Sequence, residues 1–149
     1  MKAKELATNK RAFYDYEILE TIEAGIELLG HEVKSAKGGH CHLRGAFVHL
    51  RNDEAWLTNS FIAPYAKASH LTDYDPTRSR RLLLRRRDLH RLIGKHGAER
   101  LTIVPLRLYV RHGLVKVEIA LARGKRKYEK RETIKRREDE RRMRRATMQ

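Results

Sequence analysis

The sequence has no long hydrophobic run and only one cysteine. A membrane-spanning helix needs about 20 consecutive apolar residues, and the apolar runs of this chain are only a few residues long. Residues 1–5 lead into no apolar stretch, so no signal peptide is predicted. Cys41 has no second cysteine with which to form an internal disulfide, which agrees with a reducing compartment. These absences predict a cytoplasmic protein that does not enter the membrane.

The motifs of catalysis and of metal binding are also lacking. The sequence contains no nucleophile elbow, Walker loop or HExxH box, and no lysine follows the glycines of residues 25–30 as a P-loop would require. Three histidines and a cysteine fall within residues 31–42, but their spacing does not match the C-x2-C or H-x3-H pairs of structural zinc sites. We therefore predict no enzymatic activity, no cofactor and no metal.

Positive charge is what the sequence has in excess. The 149 residues carry a formal net charge of +15, with a pI near 10.4 and 36% charged residues. A domain pI above about 9 is typical of proteins that bind nucleic acid. The length fits one domain with an appendage.

The excess charge is concentrated at the C-terminus. Residues 123–149 contain 13 Lys and Arg against 5 Asp and Glu, whereas residues 1–122 contain 21 against 14. The segment 123–149 also has few apolar residues, so burial cannot offset an ordering cost of roughly 1–2 kcal/mol per residue. Three Glu–Arg pairs at i,i+4 spacing favour a helix once a polyanion is bound. We expect a tail that is disordered alone and helical on its partner, with a merely solvated tail as the alternative.

Period-two patterns dominate residues 1–122. Alternation at residues 14–20 predicts a strand, and residues 47–50 and 55–57 flank a turn as in a hairpin. A second hairpin spans residues 101–110 and 115–121 around the turn at 112–113, with a bulge expected at Pro105. Short helices are predicted over 31–37, ending at glycines 38 and 39, and over 88–94, ending at Gly94 or Gly97. The pattern predicts a mainly β fold, an OB-like antiparallel barrel.

Two basic motifs are candidate RNA-binding segments. In residues 75–81, Arg78 and Arg80 would project to the same face of an extended segment, where arginine forks suit phosphate oxygens. Leucines 82–84 follow between two groups of arginines, and an exposed apolar patch there could pack on an unstacked base. In residues 124–131, Tyr128 could stack on a base between lysines and arginines, or it could pack back on the domain.

At these motifs the chain resembles the small protein B (SmpB) family, the tmRNA-binding or SsrA-binding proteins of bacteria. The resemblance extends from about residue 6 to residue 138, and its motifs occur in family order: NKRA at 9–12, IEAGI at 22–26, EVKS at 32–35, IAPY at 62–65, DPTRSRRLLL at 75–84, RLIGK at 91–95, VPLRLY at 104–109, ARGK at 122–125 and KR at 130–131.

The resemblance implies an OB-like six-stranded antiparallel barrel with about three short helices over residues 1–122, followed by the tail over 123–149. It implies that the barrel binds the tRNA-like domain of tmRNA and delivers it, with elongation factor Tu, to the A site of a stalled ribosome. It also implies that the tail becomes helical in the empty mRNA channel, beside 16S rRNA at the decoding centre. A monomer is expected.

The resemblance also carries over candidate site residues. Those implied for RNA binding are Asn9, Lys10, Glu23, Lys34, Arg78, Arg80, Leu83, Gly124, Lys125 and Arg126. Those implied for the action of the tail on the ribosome are Tyr128, Lys130, Arg131, Ile134 and Lys135. From charge alone, a ribosomal or general RNA-binding module remains an alternative.

Overall fold

The computed structural model describes residues 3–68 and 73–147, which form one β-rich body and a C-terminal helix. In chain order its elements are β1 Lys4–Thr8, α1 Lys10–Asp15, β2 Tyr16–Ile26, α2 Gly30–Lys37, β3 Cys41–His42, β4 Phe47–Arg51, β5 Glu54–Thr58, β6 Phe61–Ile62, β7 Arg80–Leu83, α3 Arg86–Glu99, β8 Thr102–Arg111, β9 Leu114–Gly124 and α4 Lys127–Thr147.

Six antiparallel strands form a closed ring. The order around it is β8–β4–β5–β7–β2–β9, and β9 pairs again with β8. The ring closes at the pairing of Val48 with Ile103, while β1 adds to the outer side of β8 and β3 pairs with β6 in a small separate sheet. This confirms the predicted six-stranded OB-like barrel. Helices α1, α2 and α3 match the expected three helices of the body.

The barrel interior is built from alternate residues of the strands. Buried Leu57, Leu108, Val117 and Ile119 belong to the main core, together with Leu92 from α3. Because the side chains of a strand alternate between its two faces, the remaining positions point outward. On β8 and β9 some of them are buried with Ala12 of α1 in a second core cluster, which contains Val104, Leu106, Ala120 and Ala122.

Both predicted hairpins are present. Asn52 and Asp53 turn β4 into β5 with positive φ angles of 51° and 58°, and His112 and Gly113 turn β8 into β9 with φ of 52° and 78°. These are the backbone angles that tight hairpin turns require. The expected irregularity in β8 is a register shift between Pro105 and Arg107. The short helix α2 also ends as predicted, at Gly38.

Two boundaries differ from the sequence prediction. Tyr14 lies in α1 and not in a strand, because the Asn9 side chain accepts a hydrogen bond from Ala12 N and starts a helix there. Helix α3 runs through Gly94 and Gly97 to Glu99 and ends at Arg100, whose φ of 53° is left-handed. A glycine inside a helix costs only about 1 kcal/mol, which the burial of Leu92 at the helix–barrel contact offsets.

Candidate RNA interface

An exposed apolar side chain lies on the outer face of the barrel beside a glycine. Leu83 on β7 is 49% exposed and pairs with Gly25 on β2. A Cβ at Gly25 would lie 3.2 Å from Leu83 Cβ, so the glycine leaves the space in which the leucine lies close over β2. Of the three leucines at 82–84, Leu82 is 4% exposed and Leu84 is partly buried against the core. The predicted apolar patch is therefore Leu83 with its immediate surroundings.

A carboxylate lies on the same face, two residues along β2 from Gly25. The side chain of Glu23 is 37% exposed. Its Oε2 atom accepts hydrogen bonds from the Tyr109 hydroxyl and from Arg111 Nη1, each at 2.5 Å. Burial raises the pKa of Tyr109, and the hydrogen bond to Glu23 raises it further. The phenol therefore stays protonated as a donor. We call the residues Glu23, Gly25, Leu83, Tyr109 and Arg111 the Glu23–Leu83 face.

The arginines of residues 75–81 have a protein partner. Glu32 of α2 is fully buried and forms ion pairs with Arg78 and, at 2.6 Å, with Arg80. Arg80 is 0% exposed, and its Nη1 also donates to Ser60 O at 2.7 Å. The predicted common orientation of Arg78 and Arg80 is correct, but both side chains point toward the carboxylate of Glu32. A guanidinium buried in this way has no surface for a phosphate. The role of Arg80 in RNA binding stays a prediction, and its position indicates an effect through the cluster with Glu32.

The electrostatics of this buried cluster favour the charged carboxylate. Burial raises the pKa of Glu32, but hydrogen bonds from Arg78, from Leu29 N–H and from Arg80 outweigh it and lower the pKa from 4.5 to about 2. Tyr74 donates to Glu32 Oε2 at 2.9 Å, and burial followed by this hydrogen bond raises the pKa of Tyr74 to about 12. This cluster of Glu32, Tyr74, Arg78 and Arg80 joins α2 to residues 73–79 and to β7.

Asn9 also has a structural role. It is 8% exposed, caps α1, and its Nδ2 donates to Pro105 O at 2.8 Å across the fold. Its predicted role in RNA binding stays a prediction, and the cap places Lys10 as the exposed first residue of α1. Lys34 is exposed on α2, and its Nζ lies 5.8 Å from the centre of the Tyr65 ring.

The junction between barrel and tail is bonded to α1. Gly124 is exposed at the end of β9, and Lys125 N–H donates to Asp15 O at 2.8 Å. Lys125 Nζ donates to Phe13 O at 3.2 Å and to Thr133 Oγ1 at 2.8 Å. The ammonium thus links the last turn of α1 to the second turn of α4, where a cation complements the carbonyl end of α1.

A second contact strengthens this junction. Lys130 Nζ lies 3.3 Å from Asp15 Oδ1 and 5.8 Å from the centre of the Tyr14 ring. Arg126 is exposed and next to the bonded Lys125. We call Asp15, Lys125, Lys130 and Thr133 the junction clamp.

Beyond the junction clamp, the tail helix is open to solvent. Tyr128 is 56% exposed and Ile134 is 40% exposed, so the alternative in which Tyr128 packs back on the domain is not seen. Arg131 and Lys135 are exposed as well. Arg137 of the helix, with Lys10, Arg11 and Arg44 of the body, lines a cleft of about 540 Å³ beside α1. One arginine of the tail and the cations of α1 therefore lie around the same cleft.

The segment with histidines and a cysteine is explained by packing. The His42 ring stacks on Phe61 with centroids 4.7 Å apart, and the His31 ring lies edge-on to Tyr74 at 4.6 Å. Cys41 Sγ lies 3.9 Å from two carbonyl oxygens, and burial raises the pKa of its thiol. Across residues 3–68 and 73–147, no group of three or more His, Cys, Asp or Glu side chains could hold a metal ion. Within the same ranges, no helix is long and apolar enough to cross a membrane.

Sequence reasoning missed several residues of this site. The sequence assigns Glu32 and Tyr109 only to family motifs, and nothing in it singles out Arg111. The alternation of β8 places Tyr109 and Arg111 on the outer face, but their contact with Glu23 depends on the order of strands around the barrel. No local signal in the sequence reveals that order.

A closed antiparallel barrel with a basic surface and a cationic helix beside it defines a protein of the RNA-binding class. The chain belongs to the SmpB family: the sequence model described as "SmpB protein" matches residues 6–149.

Known relatives agree with this membership over nearly the whole chain. The SsrA-binding protein of Trichodesmium erythraeum is 51% identical over 146 residues, covering 98% of this chain and 94% of the relative. The SsrA-binding protein of Sulfurihydrogenibium sp. is 55% identical over 135 residues, covering 91% and 88%. A solved chain described as "tmRNA-SmpB: a journey to the center of the bacterial ribosome" superposes with a TM-score of 0.67 at 44% identity, covering 90% of this chain and 95% of that one.

Proposed function

We propose that this protein binds the tRNA-like domain of tmRNA through its barrel and brings it to stalled ribosomes for rescue by trans-translation. Its relatives are SsrA-binding proteins, and a chain of similar structure was solved with tmRNA in the bacterial ribosome. The protein acts as an RNA-binding protein and not as an enzyme. We infer that it works as a monomer in the bacterial cytoplasm, in a delivery complex that includes elongation factor Tu.

The observation that carries the proposal is the composition of the Glu23–Leu83 face. Leu83 supplies an apolar surface of the kind that packs on an unstacked base or a sugar. Glu23, beside it, repels phosphate and accepts hydrogen bonds, so it favours base or ribose donors over the RNA backbone. A surface designed only for electrostatic attachment to RNA would have a cation at the position of Glu23.

The tail serves the second half of the proposed function. Exposed Tyr128, Arg131, Ile134 and Lys135 lie on α4, which contacts α1. We infer that this helix occupies the empty mRNA channel near 16S rRNA at the decoding centre. Lys10, Arg126 and the cations of the cleft beside α1 would face the same rRNA or the tmRNA backbone.

A titration tests the proposal. The protein should bind the tRNA-like domain of tmRNA more tightly than a tRNA, and much more tightly than an unrelated RNA, at physiological salt. Equal affinities for the three RNAs would favour a general RNA-binding module instead.

A matched pair of leucine variants tests the proposed face. Leu83→Asp should weaken binding of the tRNA-like domain by about tenfold or more, because it replaces an apolar contact with a negative charge that the RNA phosphates repel. Leu19→Asp is the control, because Leu19 is 42% exposed on β2 but lies outside the Glu23–Leu83 face. Equal losses for the two variants would contradict the assignment of the face.

A further inference from the structure

We propose that Tyr109 and Arg111 are positioning residues, which hold Glu23 so that its free Oε1 accepts a hydrogen bond from a neutral N–H or O–H donor of the RNA. This inference rests on the proposed use of the Glu23–Leu83 face for RNA binding, and it assigns that face its chemistry.

The two carboxylate oxygens of Glu23 are used unequally. Both the Tyr109 hydroxyl and Arg111 Nη1 donate to Oε2 of Glu23. Within residues 3–68 and 73–147 no hydrogen bond reaches Oε1. A side chain that is 37% exposed therefore has one oxygen fixed by protein donors and the other available to a partner.

The Tyr109 donor is held in place by its surroundings. Tyr109 is 5% exposed, and the guanidinium groups of Arg107 and Arg111 lie 5.7 Å and 5.5 Å from the centre of its ring. A ring held between two cations loses little freedom when the hydroxyl binds a carboxylate. An ordinary exposed ion pair contributes only about 0–1 kcal/mol, so Arg111 alone would leave Glu23 free to move.

The contact between Tyr109 and Glu23 spans the strand β9, which lies between β8 and β2. Tyr109 on β8 pairs with Lys116 on β9, and Glu23 on β2 pairs with Glu118 on β9. The phenol and the carboxylate therefore meet above β9, each reaching over it from a neighbouring strand. Neighbouring strands lie about 4.8 Å apart, so only long side chains can make this contact.

The negative charge of Glu23 limits the RNA groups that it can bind. A carboxylate close to RNA repels phosphate, so Glu23 is compatible only with a place where the RNA offers a donor. The donors of RNA that carry no charge are the exocyclic amino and imino groups of bases and the ribose 2′-hydroxyl. A prepositioned acceptor discriminates strongly, because a donor that cannot reach it stays unpaired at the interface.

The same strand also offers a control. Glu17 on β2 is paired with Arg123 at 3.8 Å, and within the described ranges no tyrosine hydroxyl donates to its carboxylate. Glu17→Gln removes the same charge from β2 and leaves the contacts of Tyr109 with Glu23, Arg107 and Arg111 intact.

The test is a double-mutant cycle on the full chain, with affinity for the tRNA-like domain as the readout. Glu23→Gln should weaken binding about tenfold or more, and Tyr109→Phe, which keeps the buried ring, about three- to tenfold. The double variant should bind no more weakly than Glu23→Gln alone, because the tyrosine acts through the carboxylate. Glu17→Gln should stay within about twofold of the parent protein. Urea midpoints of all four variants check that the fold is kept.

Arg111→Gln separates positioning from phosphate contact. A positioning arginine changes affinity without changing the salt dependence, whereas loss of one phosphate contact lowers the salt slope by about 0.7–0.9. A lower slope in Arg111→Gln would overturn the assignment for this residue.

Two substituted RNAs distinguish the sources of the donor. One carries 2′-deoxyribose in place of ribose, and the other carries inosine and purine riboside in place of guanosine and adenosine, which removes exocyclic amino groups. On the RNA that lacks the true donor, the parent protein and Glu23→Gln should bind equally. Three further RNAs cover the remaining donors, with 1-methylguanosine, 3-methyluridine or pyrimidin-2-one riboside in place of guanosine, uridine or cytidine. A Glu23→Gln penalty that persists on all five RNAs would overturn the inference.

The two possible failures are distinguishable. If Glu23→Gln binds the unmodified RNA like the parent protein, the proposed RNA-binding face is wrong. If Glu23→Gln weakens binding but Tyr109→Phe does not, or if their effects add, the face stands and the positioning role is wrong.

Discussion

At the scale of single residues, the protein buries an ion pair between Glu32 and Arg80. Glu32 and Arg80 are each 0% exposed, and Arg78 and Tyr74 complete their hydrogen bonds. Burying two ions is costly, and their attraction compensates only where the geometry is good and the remaining polar atoms are satisfied. We infer that this cluster fixes residues 73–79, which precede β7, and with them Leu83 at the end of that strand.

Replacing Arg80 should therefore destabilise the fold. In Arg80→Met the carboxylate of Glu32 loses its main buried partner, and breaking a buried ion pair costs about 3–5 kcal/mol. Urea unfolding measures this loss. Arg81→Met is the matched control, because Arg81 is 46% exposed and its contact with Glu54, at 3.6 Å, is an exposed ion pair. It should change the free energy of unfolding by less than about 0.5 kcal/mol. Similar losses for both variants would contradict the structural role of Arg80.

Stability should also depend on Glu32 in acid. Its pKa in the folded protein is about 2, below the ordinary value of 4.5, so the unfolded chain binds the proton more tightly. The stabilisation is complete above the ordinary pKa and is lost as the pH falls from about 5 toward 2. In Glu32→Gln, the fall in unfolding free energy over that interval should be smaller than in the parent protein. An unchanged pH dependence would show that Glu32 is not held in its charged form.

The sequence allowed part of this residue-level account to be predicted. The alternation of Arg78 and Arg80 correctly predicted that they share an orientation, because period two is a local property of an extended chain. Their partner could not be predicted, since Glu32 lies 48 positions from Arg80 along the chain. The same holds for Tyr109, whose hydroxyl meets Glu23 only because β8, β9 and β2 are neighbours in the barrel.

At the scale of elements, hairpins were predictable and contacts between distant elements were not. The β4–β5 and β8–β9 hairpins depend on local alternation and on turn residues with positive φ, such as Asn52 and Gly113. Helix α1 was missed because six residues are too few for a periodic pattern, and its start depends on the Asn9 cap. The closure of the barrel through Val48 and Ile103 joins residues far apart in sequence.

The junction clamp makes a prediction about the tail helix. Lys125→Ala removes the hydrogen bonds to Phe13 O and Thr133 Oγ1, so α4 should lose its fixed direction relative to α1. We expect faster amide hydrogen exchange in residues 127–134 and weaker ribosome rescue, with affinity for the tRNA-like domain changed by less than about threefold.

Arg126→Ala is the matched control for the clamp, because Arg126 is the exposed neighbour. If it contacts RNA phosphate as the sequence predicts, it should lower affinity and the salt slope without changing hydrogen exchange in the tail. If Lys125→Ala lowers the salt slope and leaves hydrogen exchange unchanged, Lys125 is an RNA contact and the clamp is wrong.

At the scale of the whole molecule, we propose that the protein divides two tasks between its barrel and its tail. The buried residues of both core clusters lie between Ala12 and Ala122, so the barrel is complete before the tail begins. The tail holds 13 of the 34 lysines and arginines and contributes none of the residues of those clusters. The expectation that the tail is disordered in the free protein and becomes an ordered helix on the ribosome remains a prediction. The junction clamp predicts order for residues 127–134, so slow amide exchange there in the free parent protein would support the clamp, and fast exchange would support disorder.

The most direct test of this division compares the chain ending at residue 128 with the full-length protein for affinity to the tRNA-like domain of tmRNA at physiological salt. The two should agree within about threefold, a difference of less than about 0.7 kcal/mol, while only the full-length protein supports rescue of stalled ribosomes. A loss of affinity of about tenfold or more in the shortened chain would show that the tail is a primary anchor for tmRNA and would contradict the account.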